Sequence, residues 1–312
     1  MALEPSSLEG HKVIIFARNV DLVGQQETSR LVNHVSADLA FMESGDRYTD
    51  ELMGTSDPSP VLNDIRPTPG GTITKSRRFA FFQTFDDGKW VGTREKAEQL
   101  VDPTNPTVRA MGFGRERRRD RTIMNAFFDP SYENDADGKI SVTALPSTNV
   151  VAVNDWTYFK GKADAGAAAP TADAGLTVPK LRKAKVLASK AQLKGSWNIA
   201  YEEEDLQNLL TSVEVGSSDY NKVNALIDGE RTRYMGFNFV QVESGACPVS
   251  GSVGKLPFWN TENILYKERP LVTTRVQERP DMSYRWHAFY EAQDSWLRSE
   301  DKGVGSILCK RD

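Results

Sequence analysis

The 312-residue chain carries 39 lysines and arginines against 43 aspartates and glutamates, a formal net charge of −4. That near-balance leaves no global field to draw it onto nucleic acid or an anionic membrane. Its two cysteines, Cys247 and Cys309, are too few for a disulfide framework and wrongly spaced for zinc. The opening Met1-Ala-Leu-Glu-Pro5 lacks the basic and apolar regions of a secretion signal, and no apolar run approaches the length that crosses a bilayer. A soluble chain of a reducing, cytosolic compartment is expected, long enough for one large domain or two modest ones.

The first elements are thin. A small apolar knot at Val13–Phe16 precedes a segment from Val20 to Met42, where Val20, Val23, Leu31, Val35 and Leu39 share one helical stripe. Such a stripe predicts a helix that packs on something else. Pro58, Pro60, Pro67, Pro69 and Gly70-Gly71 then forbid regular helix. Ile73–Phe85 predicts one long strand, with Phe79 and Phe81 on one face and Phe82 on the other. Asp87-Gly88 predicts a hairpin turn and Lys89-Trp90-Val91 the returning strand. Lys75, Arg77 and Arg78 stand near its base. An isolated hairpin is marginal in water, so this one wants a partner surface, in its own domain or on a neighbouring subunit.

The turn Leu100–Pro106 leads into a predicted helix, Thr107–Phe128, in which Ile123, Met124, Ala126 and Phe127 follow the run Arg115-Glu-Arg-Arg-Arg-Asp-Arg121. The arginines read as an exposed face with internal Arg–acid pairs rather than a nucleic-acid site, because no aromatic residues interleave. Asp129-Pro130 ends the helix. Residues 131–175 read as an excursion. Asn134–Gly138 is a turn, since Ala144 stands where a calcium loop would need its closing glutamate. Ala163–Gly175 is a loop without periodicity.

Leu176–Glu243 predicts a compact α+β unit. Thr177 and Pro179 open a helix carrying Leu181, Ala184, Leu187, Ala188 and Ala191, stopped by Gly195. Trp197–Tyr201 is a strand. Glu202–Asp205 place negative charge at the start of a second helix with Leu206, Leu209 and Leu210 buried. Ser218 and Asp219 cap a third short helix with Val223, Leu226 and Ile227, ended by Gly229. Arg231–Val242 alternates as a strand with Met235, Phe237 and Phe239 on one face. Beyond it, Gly251–Lys255 fails as a phosphate loop, because Val249 replaces the first glycine and Leu256 follows the lysine. Two more strands, Trp286–Tyr290 and Val304–Cys309, flank a polar turn at Ser299–Gly303, which builds the C-terminus into a sheet.

Chemistry is not legible. His11, His34 and His287 are scattered, no Gly-x-Ser-x-Gly elbow occurs, and Gly112-Phe-Gly114 follows a turn rather than a strand. No catalytic, cofactor or metal site is expected, and the chain does not read as an enzyme.

The order of the pieces is distinctive. It comprises Asp102-Pro103; Arg117, Asp120, Ile123 and Ala126 on the long helix; Leu176-Thr-Val-Pro-Lys-Leu-Arg-Lys-Ala184; Leu209-Leu210; Asp219-Tyr220; Leu226 with Gly229; Gly236-Phe237; and the ending Ser299–Cys309. From about residue 20 onward this resembles the major capsid proteins of tailed bacteriophages, the α+β Hong Kong 97-type fold, in the subgroup without a long cleaved leader. The resemblance implies an N-arm over 1–50 and an extended β-hairpin loop over 51–100 that reaches over an adjacent subunit. It implies a peripheral domain from 101–150 and 261–312 around a spine helix, and an axial domain over 151–260. Pentamers and hexamers would form an icosahedral head around double-stranded DNA, which is contacted weakly and without sequence specificity. A separate scaffolding protein, a portal and a decoration protein are implied partners, with assembly in the host cytoplasm. Phe79, Phe81, Phe82, Trp90, Arg77, Arg78, Val20, Val23 and Leu31 are the expected subunit-interface residues. Two rivals share some features: an encapsulin-like compartment shell of the same fold, and an α+β enzyme with an unrecognised site.

Overall fold

Three sheets gather around one long helix in the computed structural model, which describes residues 25–58, 60, 70–92, 104–134, 139–154, 173–211, 223 and 232–311. In chain order the strands are β1 Ser36–Asp38, β2 Arg47–Met53, β3 Lys75–Phe81 and β4 Gln83–Val91, followed by helix α1, Thr104–Phe128. Next come β5 Ser131–Asn134, β6 Ile140–Thr143, β7 Val150–Val151, α2 Val178–Lys190, β8 Trp197–Tyr201 and α3 Glu203–Thr211. The remainder is β9 Arg233–Tyr234, β10 Phe237–Gln241, β11 Val249–Ser250, β12 Val253–Asn260, β13 Ile264–Arg279, β14 Arg285–Arg298 and β15 Val304–Lys310.

The sheet β7-β15-β12-β8-β10-β9, with β11 added beside β12, packs against α2. Leu181, Ala184 and Ala188 of α2 lie on Ile199, Phe237, Phe258 and Ile307, all buried. A second core joins α1 to this unit. Ile123, Met124, Ala126 and Phe127 meet Trp259, Ile264, Tyr266 and the N-terminal Leu31 and Val35, with the Phe127 and Trp259 rings 4.4 Å apart. The sheet β1-β13-β14-β4 lies against α1, and the sheet β2-β3-β5-β6 forms an arm beside it.

Several expectations change here. The segment after Gln25 is not a long helix: it forms a short 3₁₀ turn, Val32–His34, and then β1, parallel to β13. Its apolar residues are too sparse to build a helix face, and its backbone is satisfied by neighbours instead. The expected hairpin at Asp87-Gly88 does not turn. Gln83–Val91 runs straight, paired with β14 through nine residues, while the preceding strand ends at Phe81 and joins a different sheet. Gly88 makes room for a neighbour instead: a Cβ there would come 2.8 Å from Nε2 at the end of the His287 side chain, which would have to shift. The true partner of β3 is β2, in register from Arg47 opposite Phe81 to Met53 opposite Lys75.

Arg231–Val242 is likewise two strands. Met235 (φ 50) and Gly236 (φ 83) turn the chain between β9 and β10 in the left-handed region that a two-residue hairpin needs. Phe237 and Phe239 are buried as expected. β13 escapes the pattern search because Lys267, Glu268, Arg269 and Pro270 interrupt its apolar alternation. Register shifts between Pro270, Val272 and Arg275 absorb the proline, which lacks the N–H a regular ladder would use. The end of α1, α2 from Val178, β8 and the acidic first turn of α3 lie where the sequence places them. Most of the third short helix and of the Ala163–Gly175 loop falls outside the described residues.

Candidate assembly surfaces

The arginine run on α1 is solvated at Arg121 and carries an internal Arg119–Glu116 pair as expected, but most of it is turned into the fold. Arg115 and Arg119 both bind Glu268 of β13, Arg119 at 2.6 Å through Nε, and Arg119 also binds Glu116. The Arg118 guanidinium stacks 3.5 Å above the Phe85 ring of β4. Asp120 faces the other way and gathers the N-terminal segment, accepting from Ser29 Oγ, Gln26 Nε2 and the backbone N–H groups of Arg30 (3.0 Å) and Leu31 (3.1 Å). α1 is thus a hub whose charges join three segments distant in sequence.

Beneath it Asp294 and Glu268 are 4% and 1% exposed. Burial pushes the Asp294 carboxyl up to about 6, helped by the Glu268 charge and opposed by the Tyr266 hydroxyl, Arg118 and Arg119. Because the folded-state pKa exceeds the ordinary 3.8, this group's stabilising contribution is complete below about pH 4 and is lost as the pH rises through about 6. The unfolding free energy of the unassembled subunit, from urea titration, is expected to fall by about 1–3 kcal/mol between about pH 4.5 and 7, with Asp294→Asn flattening that fall.

A buried ion cluster fastens the arm. Arg298, 1% exposed, donates to the carbonyls of Asp129 (3.0 Å), Phe127 (3.4 Å) and Thr143 (3.3 Å), and Nε binds Asp301 at 2.8 Å. Arg78 of β3 grips the same Asp301 at 2.7 and 3.1 Å and the Arg298 carbonyl at 3.1 Å. A comparable lock holds the C-terminus, where Arg311 binds Glu202 at 2.9 Å and Asp205 at 2.8 Å. The acids read as a helix start therefore carry a second role that their sequence position cannot show.

The expected interface residues divide. Phe79 is 1% exposed and Leu31 fully buried, while Arg78 is engaged as above, so in the lone subunit these three are packed within it. Phe82 is half-buried, stacked on Phe41 with Arg269 4.2 Å over its ring. Phe81 and Trp90 are each 43% exposed, and Arg77 is exposed beside Glu51. Val20 and Val23 lie outside the described residues. Sequence reading missed Ile140 and Val142 on β6, 54% and 61% exposed. Strand pairing sets Val142, Tyr132, Phe79 and Thr49 in one cross-strand row, with Phe81 on the same face. The arm sheet thus has one face tied to the body and one apolar face open. The alternation in Ile-Ser-Val-Thr143 was the available signal. Among the described residues no cluster of histidine, cysteine or acid side chains could hold a metal. Burial pushes the Cys309 thiol up to about 12 and raises that of Cys247 further, so neither is a ready nucleophile.

A family model described as phage capsid protein matches residues 11–311. Among solved structures the chain is similar to the capsid of Ralstonia phage GP4, at TM-score 0.67 and 11% identity over 97% of this chain and 96% of that one. It is also similar to the capsid of the cyanophage P-SCSP1u (TM-score 0.66, 11% identity, 98% and 95% covered) and to Mycobacterium phage Bobi (0.66, 11%, 100% and 99%). No curated protein matches the sequence. At such identity the likeness establishes a shared fold, the Hong Kong 97-type.

Proposed function

The chain belongs to the phage capsid protein family, a major capsid protein of an icosahedral head, and from that premise we propose how its subunit builds the shell. The carrying observation is the arm sheet. Its inner face is anchored through Arg78, Arg298 and Asp301, while Phe81, Ile140 and Val142 stand open on the other. Copies of the chain, arranged as pentamers and hexamers, complete that open face. The N-arm spans 1–50, the extended loop 51–100, the peripheral domain 101–150 with 261–312, and the axial domain 151–260. Strand pairing crosses those bounds in places: β15 pairs with β12 and β7, β4 pairs with β14, β5 pairs with β3, and β2 begins at Arg47. The extended arm is then β2 and β3, and the long β13–β14 hairpin belongs to the peripheral part.

A separate scaffolding protein, a portal and a decoration protein accompany assembly in the host cytoplasm. Packaged double-stranded DNA is met weakly, as the net charge of −4 suits. Electron microscopy of the expressed chain tests this. Closed shells or open tubes support it, and dispersed monomers at every concentration sink it. Shells that enclose protein cargo rather than DNA in native particles would favour the compartment reading instead.

A further inference from the structure

The β-sheet face turned away from α1 carries its charge in an order that suggests its partner. Residues directly opposite on antiparallel strands share a face, and alternate residues share it along each strand. Tyr290, Ala292 and Asp294 line a cleft with Arg115, Arg118 and Arg119 of α1, so Arg285, His287, Phe289 and Glu291 look away from the helix. A concavity of about 260 Å³ lined by Arg275, Gln277, Arg279, His287 and Phe289 occupies that outer face.

At its distal end Arg279 stands opposite Arg285; nearer the root Glu291 stands opposite Asp86. Two like-charge rungs, each unfavourable when left alone, thus lie on one face, about 20 Å apart at the usual rise per strand residue. Arg285, Glu291 and Asp86 have no side-chain partner among the described residues, and Arg279 pairs only with the exposed Asp281. Between the rungs Trp90, His287 and Phe289 form a stacked ladder, with centroids 4.1 and 5.8 Å apart.

Arg275 lies beside the ladder, opposite Phe289, but the two ends carry opposite charge, so the face is complementary to its own copy rotated by half a turn, as an isologous contact requires. We propose that this face binds the same face of a second copy across a two-fold axis, so that the Arg279–Arg285 rung of each subunit meets the Asp86–Glu291 rung of the other. The ladders meet at the centre. Nucleic acid would suit the arginines but be repelled by Asp86 and Glu291, which favours a second copy. The proposal rests on the shell reading for the setting in which copies meet.

The test mixes two variants of the full-length chain. Arg275→Gln/Arg279→Glu/Arg285→Glu leaves only acids charged on the face, since Arg275 stands on it opposite Phe289, and Asp86→Arg/Glu291→Arg makes it basic. Each alone is expected to lower the yield of closed particles about tenfold or more, while keeping the wild-type unfolding curve. Their mixture, acidic face on basic face, is expected to restore that yield. Wild-type yield from either variant alone, or no recovery on mixing, overturns the proposal, as does an acidic variant whose normal shells merely retain less DNA. If the wild type forms no shells, the shell reading fails. An Arg285→Cys/Glu291→Cys chain still reads this contact: a disulfide-linked dimer supports it and its absence overturns it, since Cys247 and Cys309 are buried.

Discussion

Truncating Arg298 to alanine is expected to lower the stability of the unassembled subunit by about 3–5 kcal/mol, read as a shift in the urea midpoint. The guanidinium is enclosed and saturates three carbonyls from the end of α1, the α1–β5 junction and β6, besides Asp301. Its removal strips a buried donor from the Phe127 carbonyl and part-buried ones from the Asp129 and Thr143 carbonyls, and leaves Asp301 to Arg78 alone. Arg298→Lys rescues little, because one ammonium cannot span the same fork of acceptors. A change under about 1 kcal/mol would show that the cluster is wet and contributes little.

The second large effect separates neighbours on one strand. Phe79→Ser is expected to destabilise the isolated subunit by about 3–5 kcal/mol, since it empties a buried ring site and exposes it to a hydroxyl. The ring packs against Phe81 at 5.5 Å and Tyr132 at 6.0 Å and lies under Arg47. Phe81→Ser, at a position 43% exposed, is expected to keep the fold within about 1 kcal/mol yet prevent closed shells. Equal losses of stability in the two variants, or normal shells from Phe81→Ser, would remove the arm from the assembly surface. The two aromatics look interchangeable in sequence, and only the layers above them decide which is core.

That pair marks where sequence reading stops. Elements governed by local chemistry were legible: the apolar end of α1 through Phe128, the helix opened by Pro179, the strand at Trp197, and the acids at the start of α3. Long-range pairing was not. Asp87-Gly88 carries a strong turn signal, but β14 lies alongside, and its ladder with Gln83–Val91 outweighs the local preference. Nothing local marks Glu268, in the polar run Lys267–Pro270, as buried, yet two arginines from a helix some 150 positions earlier enclose it. Arg78, Arg298 and Asp301 likewise become a site only after the chain has folded. The apolar residues of β6 were visible as alternation, but four residues are too few to announce an open face.

Hydrogen exchange measured on the free subunit and again on assembled shells tests the central claim most directly. The account predicts strong added protection in the shell for residues 47–53, 75–81 and 140–143, the strands β2, β3 and β6. Identical exchange of those strands in both forms, with protection gained elsewhere, would contradict it.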